Sequence, residues 1–303
     1  MPDRKLALDA RAITTLVLCC LLWGLNQVAV KVALPEIPAL LQAGGRSLIG
    51  ALLVCAWARW RGVALFNADG SLGAGLLAGA LFAAEFGAIF LGLQFTTASR
   101  MVVFLYLAPF AVALGMPFVA RSERLAPLQA AGLVLAFAGV AWAFAESFSE
   151  PTGAARQWWG DALGVAAAML WGATTLVIRA SRLSQASAEK TLLYQLGVSG
   201  VALLAAGALA GEAWPASLSA LAAASFAFQG VIVTFGSYLA WFWLIRNYPA
   251  TRLASFTLLT PVFGLLLGAW LLSEPITMRL WLALAAVTAG IVLVNRKASI
   301  AAT

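Results

Sequence analysis

Polar residues break this 303-residue chain at near-regular intervals. Between the breaks lie ten apolar runs, at roughly 12–33, 37–58, 72–94, 98–119, 126–145, 161–180, 188–210, 221–245, 251–272 and 277–295. A helix rises about 1.5 Å per residue, so about 20 apolar residues cross the hydrocarbon layer of a bilayer. Each run meets that length. The breaks carry helix-stopping residues: Pro35 and Pro38, Asn67 to Gly70, Pro127, Pro151 to Gly153, Pro215 and Pro275. Such residues punctuate helices by fixing or freeing φ. The pattern predicts an all-α integral membrane protein of ten transmembrane helices, with short tails at residues 1–11 and 296–303.

Composition agrees. Hydrophobic residues make up 63% of the chain and charged residues 10%, against roughly 45–50% and about 25% in a soluble domain. Lipid must therefore be the solvent for much of the surface. The net charge of +7 comes from 19 Lys and Arg scattered among the apolar runs. Without a basic stripe interleaved with aromatics, no nucleic-acid partner is expected. Cys19, Cys20 and Cys55 lie inside apolar runs, and the chain has no His and no CxxC. That pattern supports neither a structural disulfide nor a metal site, and no cofactor is expected.

Arg4, Lys5 and Arg11 precede the first run without a small-residue cleavage site, which reads as a retained cytoplasmic tail rather than a signal peptide. With the N-terminus inside, 14 of the 19 basic residues fall on the cytoplasmic side. Only Lys31, Arg100, Arg156 and Arg279 fall outside, and Arg46 lies within the second span. The excess of cations in cytoplasmic loops puts both termini in the cytoplasm.

The chain also repeats itself. Leu22-Trp23-Gly24-Leu25-Asn26 returns as Leu170-Trp171-Gly172-Ala173-Thr174, 148 residues later. Ala98-Ser99-Arg100 with Pro109 returns as Ala250-Thr251-Arg252 with Pro261, at an offset of 152. Ser122-Glu123 returns as Ser273-Glu274 and Gly139-Val140 as Gly290-Ile291, both at 151. The halves are residues 12–145 and 161–295, joined by a loop at 146–160. Five helices per half is an odd number, so the halves must lie in the membrane with opposite orientation. Secondary transporters use inverted repeats to build two alternating gates around one site. Duplication also leaves repeats in proteins that move nothing, but inverted halves without any soluble domain favour transport.

Taken together, these residues resemble the drug/metabolite transporter superfamily, in its EamA branch. The resemblance rests on Trp23-Gly24, Trp171-Gly172 and Arg46, on the Ala-Ser/Thr-Arg to Pro to Ser-Glu pattern of helices 4 and 9, and on the Ala-Gly-Val or Ala-Gly-Ile of helices 5 and 10. It covers nearly the whole chain, and bacterial aromatic amino-acid exporters of the superfamily are similar in length and layout. The resemblance implies a ten-helix basket in the bacterial inner membrane. Helices 1, 3, 4, 6, 8 and 9 would surround a central cavity, with 5 and 10 packed behind.

The polar residues inside the spans supply the candidate site. Glu85 lies halfway along helix 3, where an unpaired carboxylate costs several kcal/mol, so a partner or a function is expected. It is the candidate coupling group, and its repeat mate is Ser237. Asn26, Gln27, Thr174 and Thr175 follow the Trp-Gly pairs; they could hold the head of an amino acid or bond between helices. Trp23 and Trp171 sit near mid-helix, away from the interfacial belt where membrane Trp collects. Trp57, Trp60, Trp158, Trp159, Trp214 and Trp281 lie near span ends and read as belt anchors. Phe82, Phe86 and Phe90 recur every four residues on one helix face. Tyr106, Tyr238 and Trp241 add rings near mid-membrane.

An aromatic pocket of this kind suits a large or apolar substrate. Arg100 and Arg252 are expected to meet lipid headgroups or loop carbonyls, and Glu123 and Glu274 to cap helices or form ion pairs. Arg46 is expected to be the only buried cation. Pro109 and Pro261 each remove one intrahelical hydrogen bond, marking candidate hinges.

The expected function is secondary-active export of small metabolites through a central cavity, with aromatic or large neutral amino acids as substrates. A broad drug or metabolite exporter is the alternative within transport, and a membrane receptor or scaffold the alternative outside it. With no His, one mid-span acid and no G-x-S-x-G motif, an enzyme is not expected. The partners implied are a small-molecule substrate and the lipid bilayer, around a monomer.

Overall fold

The computed structural model describes residues 9–119, 127–149, 156–248, 253, 257 and 259–295. Glu123 and Arg252, with the terminal tails, lie outside them. The described residues form helices α1 (Ala10–Ala33), α2 (Ala39–Trp60), α3 (Leu72–Gly92), α4 (Ala98–Val119), α5 (Pro127–Ser149), α6 (Gln157–Ala180) and α7 (Ala188–Leu209). They continue with α8, built from Ala220–Ala227, Phe228–Ser237 and Tyr238–Asn247, then α9 (Leu259–Leu272) and α10 (Met278–Asn295). Seven are long and apolar enough to cross a membrane alone; α5, α9 and α10 contribute the apolar stretches Ala130–Ala143, Leu259–Leu272 and Met278–Leu293. Starts are set by side chains that accept the first free amides: Asp9, Thr97, Ser187 and Ser219 cap α1, α4, α7 and α8. Capping of this sort satisfies donors with no intrahelical partner.

Two helices depart from regularity. Pro109 cannot donate to the carbonyl of Leu105, and α4 breaks just before it, at Tyr106–Leu107. There the backbone tightens to three-residue bonds, Tyr106 N to Val103 O (3.2 Å) and Leu107 N to Phe104 O (3.0 Å), which take up the lost partner. Pro261 lies in the first described turn of α9. In α8 the stretch Phe228–Ser237 is a π-helix, a form common at functional sites. Thr234 Oγ1 donates to the Gln229 carbonyl five residues back (2.6 Å). Nothing in the apolar pattern distinguishes this stretch from an α-helix.

The packing is two-fold. The cross-half pairings α3·α6, α3·α7 and α1·α9 are answered by α8·α1, α8·α2 and α6·α4, while in α2·α7, α4·α9 and α5·α10 each helix packs against its own repeat mate. Exchanging each helix with the one five places later preserves these pairings. With five helices per half, the halves run in opposite directions. The Trp-Gly glycines lie at close crossings of this kind. A Cβ on Gly24 would lie 2.7 Å from the Gly264 amide nitrogen, and one on Gly172 2.5 Å from the Ala111 Cβ. In hydrocarbon, where helices gain nothing from excluding water, small residues allow this backbone approach.

One end of the bundle is closed by carboxylates reaching across to helix N-termini of the other half. Glu274 accepts from the amides of Ala98 (2.8 Å) and Ser99 (3.0 Å) and from the Ser99 hydroxyl (2.7 Å). Glu212 accepts from Leu40 N (3.3 Å) and Leu41 N (2.9 Å). Glu36 accepts from Ser219 N (2.7 Å) and Oγ (2.6 Å), and these donors hold its carboxyl below the usual carboxylate range. Each pairs a negative charge with unsatisfied amides at the positive end of a helix dipole.

Candidate functional site

The site is built on α2, α3 and α8. Arg46 of α2 is fully buried, and its guanidinium lies over the Phe86 ring at 4.0 Å and the Phe90 ring at 5.1 Å. The four-residue spacing of Phe82, Phe86 and Phe90 lines one face of α3, with Phe82 and Phe86 at 4.5 Å between centroids. Glu85, on the same helix, is 4% exposed. Glu85 and Tyr238 act electrostatically on Arg46. Even so, no guanidinium nitrogen completes a hydrogen bond of ordinary geometry, and Glu85 Oε2 is unpartnered; the Tyr238 side chain interacts with the cation outside that geometry.

Further unpartnered oxygens lie nearby in the sequence and on facing helices. Gln42, one turn before Arg46, donates to Val30 O (3.3 Å) and leaves its carbonyl free. Gln229 of the π segment donates to Ala29 O (3.3 Å) and does likewise. Asn26 and Gln27 are buried with free side-chain oxygens. Beside them Trp23 Nε1 donates to Ser237 Oγ (2.9 Å), and its ring meets Trp241 edge-on at 5.4 Å. Each buried polar group left unpaired costs about 1–3 kcal/mol. Their concentration in a lipid-embedded core makes this cluster the candidate site.

The other predicted residues stand apart. Tyr106 donates to the Thr257 carbonyl and packs in a second core cluster with α5, α6, α9 and α10. Thr174 and Thr175 bond back to Leu170 O and Trp171 O of their own helix, and Trp171 is 40% exposed. Among the described residues, no polar contact joins these groups to Arg46. The near-symmetric motifs therefore sit in unequal surroundings.

Arg100 corrects an expectation. It does not face headgroups: it is 4% exposed and pairs with Asp161 of α6 at 2.6 Å, while also donating to Ala143 O (2.6 Å). Asp161 takes a further bond from Thr96 Oγ1 (2.6 Å). Inside a low dielectric an arginine needs such a partner. Nor is Arg46 alone, because Arg100 and Lys190 are also buried. Asp161 opens its apolar run and reads in the sequence as a boundary; no local signal ties it to an arginine 61 residues away. Glu274 caps α4, as expected of a cap.

At the opposite end from Glu274, a cleft of about 420 Å³ is lined by Asn67, Asp69, Arg182, Ser187 and Lys190 among others. Lys190 Nζ donates to Asp69 Oδ2 (2.8 Å) and to Asn67 O (2.7 Å). Lys190 and Ser71 hold the Asp69 carboxyl well below the usual carboxylate range. A depressed carboxylate stabilises the fold fully above its unfolded pKa and loses that contribution as pH falls through the folded value. The stability gap between wild type and Asp69→Asn is thus expected to stay constant from about pH 8 to pH 5 and to shrink only below about pH 4. Thermal midpoints in detergent would read it; a gap fading between pH 7 and 5 would assign the titration elsewhere.

Comparison with known proteins places this arrangement. The EamA-like transporter family model matches residues 10–145 and again 158–296, one match per half. The uncharacterized transporter YvbV of Bacillus subtilis is 29% identical over 286 residues, covering 91% of this chain and 89% of its own. The uncharacterized inner membrane transporter YedA of Escherichia coli is 26% identical over 281 residues, covering 91% and 87%. A solved crystal structure shares the fold with a TM-score of 0.65, over 94% of this chain and 96% of the other, at 19% identity. Family, relatives and inverted packing agree, and the chain belongs to the EamA-like transporter family as a multi-pass membrane transporter of the drug/metabolite transporter superfamily.

Proposed function

We propose that the protein is a gradient-driven exporter of small amphipathic metabolites, aromatic or large neutral amino acids above all, in the bacterial inner membrane with both termini cytoplasmic. Substrate would pass by alternating access between the two ends of the bundle, with Glu85 coupling the gradient and Pro109 and Pro261 serving as hinges. The observation that carries this reading is the aromatic, charge-bearing cluster of Arg46, Glu85, Phe86 and Tyr238 inside a lipid-embedded core. Rings supply area for an apolar side chain, and opposite charges supply purchase for a polar head.

The test is counterflow into liposomes holding the purified protein and loaded in turn with unlabelled amino acids. Labelled aromatic or large neutral amino acids are expected to accumulate over protein-free vesicles. Failure with every amino acid, from folded protein, would remove the substrate class and pass the reading to a drug or other metabolite. Repeating the series across pH with Glu85→Gln is expected to flatten any pH dependence.

A further inference from the structure

We propose that Arg46 and Glu85 together form the docking site for a zwitterionic head, carboxylate on Arg46 and ammonium on Glu85, with an apolar side chain against Phe82 and Phe86. The inference rests on the transport reading above and narrows its substrate to molecules carrying both charges.

The molecule provides its own standard for what a structural ion pair looks like. Arg100 and Asp161 bond through two guanidinium nitrogens at 2.6–3.2 Å, and the spare valences go to Ala143 O and Thr96 Oγ1. Arg46 and Glu85 are as deeply buried but stay open: the Arg46 nitrogens and Glu85 Oε2 lack hydrogen-bond partners. An acid and a base on adjacent helices act on one another without being joined in an ion pair.

The aromatic contact shapes what remains available. The Arg46 guanidinium carbon lies 4.0 Å from the centre of the Phe86 ring, and its N–H groups lie in the guanidinium's own plane. An in-plane fork of this kind suits the two oxygens of a carboxylate. Tyr238 and the free carbonyl of Gln42 add polar edges beside it.

Charge balance then selects the ligand. A zwitterion brings one charge of each sign to a pair that already sums to zero, so nothing uncompensated is buried. An amine alone would leave Arg46 without its anion, and an acid alone would leave Glu85 facing a second carboxylate; an uncompensated buried charge is strongly unfavourable.

The site exists once per molecule. At the 153-residue offset that aligns Gln42 with Gln195 and Gly44 with Gly197, Arg46 falls on Ser199, and the repeat mate of Glu85 is Ser237. The second repeat therefore offers no duplicate pair.

The experiment is counterflow of labelled L-phenylalanine by the wild-type protein in liposomes loaded with L-phenylalanine, phenethylamine or 3-phenylpropionate, followed by Arg46→Lys and Glu85→Gln. Each single-charge analogue is expected to drive exchange roughly ten- to a hundredfold less well than phenylalanine, the scale of one lost charge-assisted bond. Glu85→Gln is expected to narrow the gap to 3-phenylpropionate, and Arg46→Lys, which keeps the charge but loses the fork, to weaken phenylalanine exchange. Equal exchange of all three compounds by wild type would overturn the zwitterion site while leaving the transport reading intact. Absence of exchange with every amino acid would remove that substrate reading and this site together. The wild-type series decides the matter even where a variant fails to fold.

Discussion

Arg100→Met is expected to destabilise the folded protein by about 3–5 kcal/mol, the cost of breaking a buried pair from one side. Asp161 is fully buried, and without Arg100 its carboxylate would lose its charge partner while keeping the bond from Thr96 Oγ1, and Ala143 O would lose a donor. The cost lies in the stranded charge more than in the lost attraction. Replacing both residues, as Arg100→Met with Asp161→Leu, is therefore expected to recover most of the loss, because a well-packed apolar pair often matches a buried ionic one. Unfolding midpoints in mixed micelles for the two singles and the double complete the cycle. A single-variant cost under about 1 kcal/mol, the range of an exposed pair, would show that water reaches Asp161.

Gly24→Ala is expected to cost about 1–3 kcal/mol, the range for overpacking a filled core. The added Cβ would meet the Gly264 nitrogen at 2.7 Å and the Phe263 carbonyl carbon at 3.1 Å. These are backbone atoms, which no rotamer change moves aside, so α1 and α9 must separate. Gly73 is the control: it lies in α3 with nothing within 4 Å of a new Cβ, and Gly73→Ala is expected to be neutral or to stabilise by up to about 1 kcal/mol by stiffening the helix. Thermal midpoints of the two variants compare directly. Equal midpoints would show that the α1–α9 crossing yields at small cost.

The apolar runs made the helices legible because lipid imposes one length and one chemistry on every span. The Trp-Gly repeat marked the right places for a partly different reason: Gly24 and Gly172 bring backbones together, whereas Trp23 and Trp171 stand in unlike surroundings. Arg46 and Glu85 were visible as charges out of place in apolar runs. Their proximity was not, because residues 39 apart on neighbouring helices leave no local trace. Asp161 was hidden for the same reason, and the π segment of α8 because its irregularity lies in the hydrogen-bond register rather than in hydropathy.

The cross-half carboxylates on Glu36, Glu212 and Glu274 bear on how that end of the molecule can move. Each is bound to the start of a helix in the opposite half; the Glu36 contacts already meet water, whereas pulling the halves slightly apart would strand the part-buried amides and carboxylates at Glu212 and Glu274 before water could reach them. Half-measures are the costly states; fully shut and fully wetted are the two inexpensive ones. If the halves rock as proposed, such an end would act as a latch with a threshold rather than a spring, and the closed state would persist until something of comparable free energy tips the Glu212 and Glu274 contacts together.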